Sequence, residues 1–232
     1  MNISAAGGIC YPQRMEAQGE SGWRGSPELW LQAAYDALME SGIDGVKILP
    51  LARRLRLSRT SFYWFFADRE ALLAALLARW RDKNTGSIVA RAEAYAETMA
   101  EAMLNVFDCW LDAGLFDSRL EFAIRSWALQ SGAVLAEVRE ADALRIAALT
   151  RMLMRHGHDA VAADVRARTI YLVQIGYISM QAQETVDVRL GRIPEYVRIF
   201  TGEAPRPGEL ARFVSRNRLL PADAAPGTTA TA

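Results

Sequence analysis

One stretch, residues 51–72, constrains the fold of this chain more than any other. It reads LARRLRLSRTSFYWFFADREAL. Its opening leucine and alanine residues share one face of a helix by their spacing, and this apolar pattern then stops. The hydroxyl of Ser58 can accept a hydrogen bond from a free backbone N–H group, which marks the start of a second helix over residues 59–66. The spacing therefore predicts two short helices joined by a tight turn.

The second predicted helix has an outer face that is unusual for a solvated surface. Phe62, Phe65 and Phe66 share its inner side, which leaves Thr60 and Trp64 pointing outwards. A solvated helix face is usually charged, whereas this one carries hydroxyl and aromatic groups. The face therefore indicates contact with a partner; the alternative is a small three-helix core whose surface happens to be basic.

Basic residues concentrate in the same part of the chain. Between Lys47 and Arg69 there are six basic residues against one acidic residue, whereas the whole chain is formally neutral. A run of arginines is most often a solvated face. Beside short hydroxyl-bearing side chains, however, it suits a DNA major groove, where cations meet phosphates and small polar groups reach base edges. The combination predicts a local DNA-binding surface.

The run SFYWFF, residues 61–66, resembles the corresponding run of the tetracycline-repressor-like (TetR) transcription factors, and the similarity covers residues 26–83. The resemblance implies an all-α fold. A three-helix N-terminal helix-turn-helix domain would be joined by a connecting helix to a C-terminal helical domain that binds a ligand and dimerises. Arg56 stands in the turn where the family often has glycine. Residues 116–155 also resemble one branch of the family.

The resemblance also implies roles for individual residues. It assigns contacts with bases or nearby backbone to Arg59, Thr60, Ser61 and Trp64. It assigns contacts with phosphate to Tyr63 and, from the N-terminus of the next helix, to Arg69. It further implies that a small molecule bound in the second domain changes the spacing of two DNA-reading heads and releases the DNA. With the basic stretch, the predicted DNA-binding residues are Lys47, Arg59, Thr60, Ser61, Tyr63, Trp64 and Arg69.

Breaks in the helical pattern predict the domain organisation. Ser26 and Pro27 open a first helix that ends at Ser41, and a connecting helix runs from Asp68 to Lys83. Polar and small residues at 84–86 mark the boundary between the domains. The predicted parts are a flexible arm (1–25), a DNA-binding domain (26–83), an effector-binding and dimerisation domain (84–220) and a disordered tail (221–232). Further helices are predicted at 87–112, 117–130, 133–156, 160–184, 193–201 and 208–218.

The second domain is rich in methionine and aromatic residues at helical spacing. Such a stripe has two readings: it is plain hydrophobic core, or it lines an apolar pocket for a small molecule with a few polar groups. Arg125 and Gln174 are the polar candidates for the second reading. The predicted ligand-binding residues are Met103, Phe107, Trp110, Phe122, Arg125, Gln174 and Tyr177.

The predicted helix at 160–184 is a candidate dimer interface. Gly176 and Ser179 are small enough to allow a close approach between helices, and the family resemblance places the interface here. The alternative is an internal core helix. A two-fold dimer would read a palindromic operator with half-sites about 34 Å apart, which gives more contacts than one head alone.

Signals for other classes of function are absent from the sequence. There is no glycine-rich phosphate loop, no GxSxG and no HExxH motif, so we predict no enzyme and no catalytic residue. His156 and His158 are expected at the solvent-exposed end of a helix, and no metal or cofactor is predicted. Cys10 and Cys109 lie far apart, which favours a reducing cytoplasm. No uncharged apolar run is long enough to span a membrane.

The sequence therefore supports one main hypothesis and one alternative. The main hypothesis is a cytoplasmic, dimeric, ligand-responsive regulator of transcription, a repressor that binds a DNA operator and is released by a small-molecule effector. The alternative is a helical small-molecule-binding protein without specific DNA binding. The basic, hydroxyl-rich face of residues 59–64 discriminates between them, because a carrier has no need of it.

Overall fold

The computed structural model describes residues 25–218, and all regular secondary structure in that range is helical. This confirms the predicted all-α fold class. The expected N-terminal arm, apart from Gly25, and the expected tail at 221–232 lie outside the described residues. The described α-helices are α1 (Pro27–Ser41), α2 (Ile48–Leu55), α3 (Arg59–Phe62), α4 (Arg69–Trp80), α5 (Gly86–Glu93), α6 (Met99–Leu111), α7 (Ser118–Ala128), α8 (Gly132–Arg155), α9 (Ala160–Ser179), α10 (Val186–Thr201) and α11 (Pro207–Arg218).

Side-chain caps set the limits of the N-terminal helices. The Ser26 hydroxyl accepts a hydrogen bond from the backbone N–H of Leu29, and Gly42 ends α1 with a φ of 66°. The Ser58 hydroxyl likewise accepts from the backbone N–H of Ser61 and opens α3. Since α3 ends at Phe62 and the chain then turns, the helix is shorter than the prediction of 59–66.

The core of the N-terminal head extends into the second domain. Trp30 and Phe62 are fully buried and their rings meet edge to face, with centroids 5.2 Å apart. The same hydrophobic cluster includes Ile124 and Trp127 from α7 and Val138 from α8. The head therefore shares one hydrophobic core with α7 and α8 and is not an independently moving domain.

The helix break that was expected at residues 84–86 is absent, while the domain boundary itself stays a prediction. The chain remains helical from α4 through a π-helical turn, Arg81–Thr85, into α5. Asn84 and Thr85 are buried, and their side chains are hydrogen-bonded to groups on α7, α8 and the loop before α7. These polar residues therefore stabilise the joint between the domains.

The remaining helices form a second core, with α6 at its centre, and three predicted limits change. The predicted helix at 87–112 splits because Thr98 caps a new helix, α6, by accepting from the backbone N–H of Glu101. The predicted helix at 160–184 ends at Ser179. The helix predicted at 193–201 begins at Val186, where Thr185 caps it, so that a glycine and a proline lie inside α10.

Candidate nucleic-acid interface and interior cavity

The outer face of α3 and the turn after it carries the predicted DNA-contacting groups. Thr60 is exposed, as are Tyr63 (46%) and Trp64 (62%). The guanidinium of Arg59 donates a hydrogen bond to the Tyr63 hydroxyl at 3.0 Å and lies 5.8 Å from the centroid of the Tyr63 ring. Phe62 anchors this face from below, so the exposed groups are held on a rigid element.

Ser61 is placed differently from the expectation. It is only 5% exposed, and its hydroxyl donates to the backbone carbonyl of Ser58 at 2.6 Å. The spacing put Ser61 on the flank of the helix, but the tight α2–α3 turn encloses it. The side chain stabilises that turn, and the structure argues against a direct contact with a base.

The guanidinium group of Arg69 is also hydrogen-bonded within the protein. Its Nε donates to the carbonyl of Val46 at 2.6 Å and its Nη2 to the carbonyl of Ile43 at 2.9 Å. These carbonyls belong to the turn between α1 and α2. The Arg69 side chain therefore ties the start of α4 to that turn. The phosphate contact expected at this position, from the N-terminus of the helix, stays a prediction.

We expect Arg69→Ala to lower the free energy of unfolding by about 1–3 kcal/mol, because two partly buried carbonyls lose a charged donor. Arg59→Ala is the matched control within the same head. Its guanidinium bonds only to an exposed hydroxyl, so the change should stay within about 0.5 kcal/mol. Urea denaturation at one fixed protein concentration measures both. Equal losses for the two variants would contradict the structural role of Arg69.

The remaining cations of the basic stretch lie on α2 or at its two ends. Arg53 and Arg56 are exposed near the end of α2, and Lys47 is exposed at its start. Arg54 is paired with Glu40 of α1. Arg56 occupies the left-handed region with a φ of 54°, a conformation that costs an arginine about 1 kcal/mol and that glycine adopts freely. The turn thus keeps the shape that glycine would favour and places one more positive charge beside α3.

A buried polar network joins the head to the second domain, and we call it the Glu121 network. Glu121 of α7 is fully buried and accepts hydrogen bonds from Trp80 at 2.7 Å, Asn84 at 2.9 Å and Arg145 at 2.8 Å. Burial opposes the charge on Glu121, but the adjacent Arg145 and Arg125 more than offset it and hold the pKa of Glu121 below its ordinary value. Glu121 is therefore an ionised acceptor at neutral pH.

Arg145 and Tyr171 extend the Glu121 network to α8 and α9. Arg145 is fully buried and donates to the Tyr171 hydroxyl at 2.9 Å and to Thr85 at 2.9 Å. Arg125 donates to Glu121 at 3.0 Å, to Tyr171 at 2.8 Å and to Asp142. Burial raises the pKa of Tyr171, so its hydroxyl stays protonated. The network thus spans α4, the π-helical turn, α7, α8 and α9.

A cavity lies between α6, α9 and α10, and we call it the α9–α10 cavity. It encloses about 440 Å³ of empty space, counting the part that is open to solvent. Four predicted ligand-binding residues line it: Phe107, Trp110, Gln174 and Tyr177. Three others do not: Met103 is fully buried core, Phe122 packs against the core, and the guanidinium of Arg125 belongs to the Glu121 network. The structure adds polar lining groups that we did not predict, on Glu184, Arg189, Arg192 and Tyr196.

The missed lining residues lie on or beside a part of α10 that we predicted to be irregular. Because Gly191 indicated a break, the helix was predicted to begin only at residue 193, and Arg189, Arg192 and Tyr196 were not placed on one helical face. That spacing, at i, i+3 and i+7, was the available signal.

The structure gives no sign of a metal centre or a membrane segment in residues 25–218. That range contains no cluster of three or more His, Cys, Asp or Glu residues that could hold a metal ion. No helix in the same range has the length and apolar character needed to cross a bilayer. His156 and His158 were expected to be solvent-exposed, whereas both are half-buried.

Comparison with known proteins agrees with this geometry. An all-helical chain that presents α3 from a compact head is a helix-turn-helix protein. Residues 31–76 match the family of bacterial regulatory proteins described as the tetR family. The tetracycline repressor protein class A from transposon 1721 of Escherichia coli is 37% identical over 67 residues, which are 29% of this chain and 31% of that protein. The chain therefore spans less than a third of the length of this curated relative.

Two of the similar solved structures share the fold over most of this chain. A TetR transcriptional regulator from Legionella pneumophila superposes with a TM-score of 0.54 at 15% identity, over 83% of this chain and 97% of that chain. AmtR from Mycobacterium smegmatis superposes with a TM-score of 0.56 at 17% identity, over 88% of this chain and 98% of that chain. At these identities they establish the fold alone. The family match covers residues 31–76, so the comparisons show a tetR-type helix-turn-helix head on an all-helical fold.

Proposed function

We propose that this protein is a dimeric repressor that binds a palindromic DNA operator through α3 and is released from it by a small-molecule effector. One observation carries the proposal: the exposed Thr60, Tyr63 and Trp64 lie beside Arg59 on a rigid face of a chain that is formally neutral overall. Cations can bind phosphates from this face while Thr60 and Trp64 reach base edges. Lys47 and the backbone N–H groups at the start of α4 complete the proposed phosphate contacts.

The outer face of α9 supports a homodimer. Its apolar residues Val161, Val165, Leu172 and Met180 are exposed and recur at helical spacing, and we call this face the α9 stripe. Gly176 lies on the same face, and a Cβ built there would meet no other atom within 4 Å. A second copy of α9 can therefore approach closely and remove the stripe from water. The predicted interface at 160–184 remains a proposal and narrows to this face.

Helix α9 also supports a route from an effector to the DNA. Ile170 and Gln174 line the α9–α10 cavity, while Tyr171 between them bonds to Arg145 of the Glu121 network. That network also holds Trp80, the last residue of α4. A ligand that moves α9 would therefore act on the joint of the head, and in a dimer it would change the distance between two heads. This contiguity is the physical basis for the proposed release.

We expect two substitutions on the DNA-facing side to have different effects. Arg59→Ala should weaken binding to all duplexes and make the salt dependence shallower by about one unit, because one phosphate contact is lost. Thr60→Ala should instead relax the base preference, because the uncharged Thr60 hydroxyl reaches a base edge and neutralises no phosphate. Selection of bound duplexes from a random pool, followed by titrations at several salt concentrations, measures both effects.

Arg151→Ala is the matched control for that experiment. Arg151 lies on α8 and pairs with Glu93 at 2.9 Å, far in sequence from the head, yet its loss changes the net charge by the same amount as Arg59→Ala. Binding should match the unsubstituted protein. If purified protein selects no duplex over random competitor, the repressor proposal fails and a small-molecule-binding protein without specific DNA binding takes its place.

A further inference from the structure

The walls of the α9–α10 cavity are aromatic on both sides. Phe107 and Trp110 of α6 meet edge to face with ring centroids 5.1 Å apart. Tyr196 and Phe200 of α10 stack with centroids 5.7 Å apart, and Phe200 also stacks on Phe107. Flat apolar surfaces of this kind favour a planar ring that lies against them.

An arginine beside these walls lacks a carboxylate partner. Arg189 donates a hydrogen bond to the carbonyl oxygen of Trp110 at 2.7 Å, and no ion pair forms to it within residues 25–218. Burial lowers the pKa of Arg189, and the nearby Glu184, which is already paired with Arg192, offsets this effect only in part. A partly buried cation without a counter-ion is costly to the protein, so a bound anion would stabilise it.

Two further polar atoms at the cavity have no partner. The indole Nε1 of Trp110 is buried and has no hydrogen-bond acceptor, and Oε2 of Glu184 is buried without a donor. The other Glu184 oxygen pairs with Arg192, so the lining has two arginines for one carboxylate and a surplus positive charge. An acceptor group on a ligand would satisfy both Trp110 and Arg189.

We propose that the α9–α10 cavity binds a small planar aromatic carboxylate as the effector, an inference that rests on the proposed repressor function. The carboxylate accepts from the Arg189 guanidinium and the Trp110 indole N–H, and the ring lies against Phe107 and Phe200. A hydroxyl substituent on the ring would donate to Oε2 of Glu184.

Calorimetric titration with matched probes tests this assignment. We expect 1-naphthoate to bind at least about tenfold more tightly than neutral 1-naphthamide, because only the carboxylate compensates Arg189. Arg189→Gln should remove that preference, while Arg189→Lys should keep it at lower affinity because it retains the charge without the planar fork. Arg198→Gln on the same helix is the control, since Arg198 is exposed and paired with Glu195. It should bind both probes as the unsubstituted protein does.

The outcomes separate this inference from the proposed function. Equal affinity for acid and amide, or binding of neither by protein that selects a duplex, would overturn the ligand class and leave the repressor proposal standing. Arg189-dependent binding of the acid by protein that selects no duplex would support the site and overturn the repressor proposal. Circular dichroism of each variant establishes that the fold is intact, and Arg189→Lys keeps the test decisive if Arg189→Gln does not fold.

Discussion

Arg145→Met should lower the free energy of unfolding by about 3–5 kcal/mol, the loss expected when one partner of a buried ion pair is removed. Methionine fills much of the same volume but donates nothing, so Glu121 keeps its charge in the core with fewer donors. Tyr171 and Thr85 lose a hydrogen bond each. Urea denaturation at fixed protein concentration measures the loss, because a dimer's apparent stability depends on concentration.

Arg151→Met is the matched control for this substitution, on the same helix. Arg151 pairs with Glu93, but both side chains are about half exposed, at 54% and 50%. An exposed pair of this kind contributes about 0–1 kcal/mol. Similar losses for Arg145→Met and Arg151→Met would mean that the Glu121 network does not stabilise the fold.

A double substitution distinguishes lost pairing from lost packing. In Glu121→Gln with Arg145→Met, both charges are gone, and the amide oxygen at 121 still accepts from Trp80 and Asn84. The double variant should be more stable than the sum of the single losses predicts, by about 1–3 kcal/mol. A simple sum would show that the two charges do not interact, contrary to their distance of 2.8 Å.

The starts of three head helices were predictable because they depend on neighbours in sequence. Ser26, Ser58 and Asp68 each accept a hydrogen bond from a backbone N–H group three residues ahead. Serine and aspartate are preferred N-cap residues, so these helix starts can be recognised from the sequence. The exposure of Thr60 and Trp64 followed from helical periodicity in the same way. Local chemistry therefore determined this part of the structure.

Two residues of the head, Arg69 and Ser61, show where that reasoning ends. Arg69 bonds to carbonyls more than twenty residues away in sequence, and no periodicity reveals which carbonyls an arginine will reach. Ser61 is buried because the α2–α3 turn is tight, which depends on the left-handed conformation of Arg56. A residue-type pattern predicts that these positions matter, but not whether they face DNA or the protein.

Long-range pairing explains the errors in the second domain. Asn84, Thr85 and Gly86 have the composition of a linker, yet the first two are buried by partners on α7 and α8. Gly191 and Pro194 have the composition of a break, yet both lie within α10, which packs on α6 and α9. In both places tertiary contacts override local propensity, and a single sequence carries little trace of those contacts.

Leu172→Glu should convert the dimer to monomer and weaken operator binding by at least about 100-fold. Leu172 lies near the middle of the α9 stripe and is 63% exposed in the single chain. Two-fold symmetry places the new carboxylate in the interface twice, where it would be buried without a partner. A monomer has one head, so it loses the contacts to the second half-site. Sedimentation at micromolar concentration and duplex titration measure the two effects.

The control for Leu172→Glu is Leu129→Glu. Leu129 is 88% exposed at the end of α7 and lies outside the α9 stripe, so it introduces the same charge without affecting the proposed interface. Leu129→Glu should remain dimeric and bind DNA normally. Because position 172 is exposed in the single chain, the monomeric variant should keep its helical circular dichroism, which separates loss of the dimer from loss of the fold. If Leu172→Glu remains a dimer, the two copies associate through another face and the assignment of the α9 stripe is wrong.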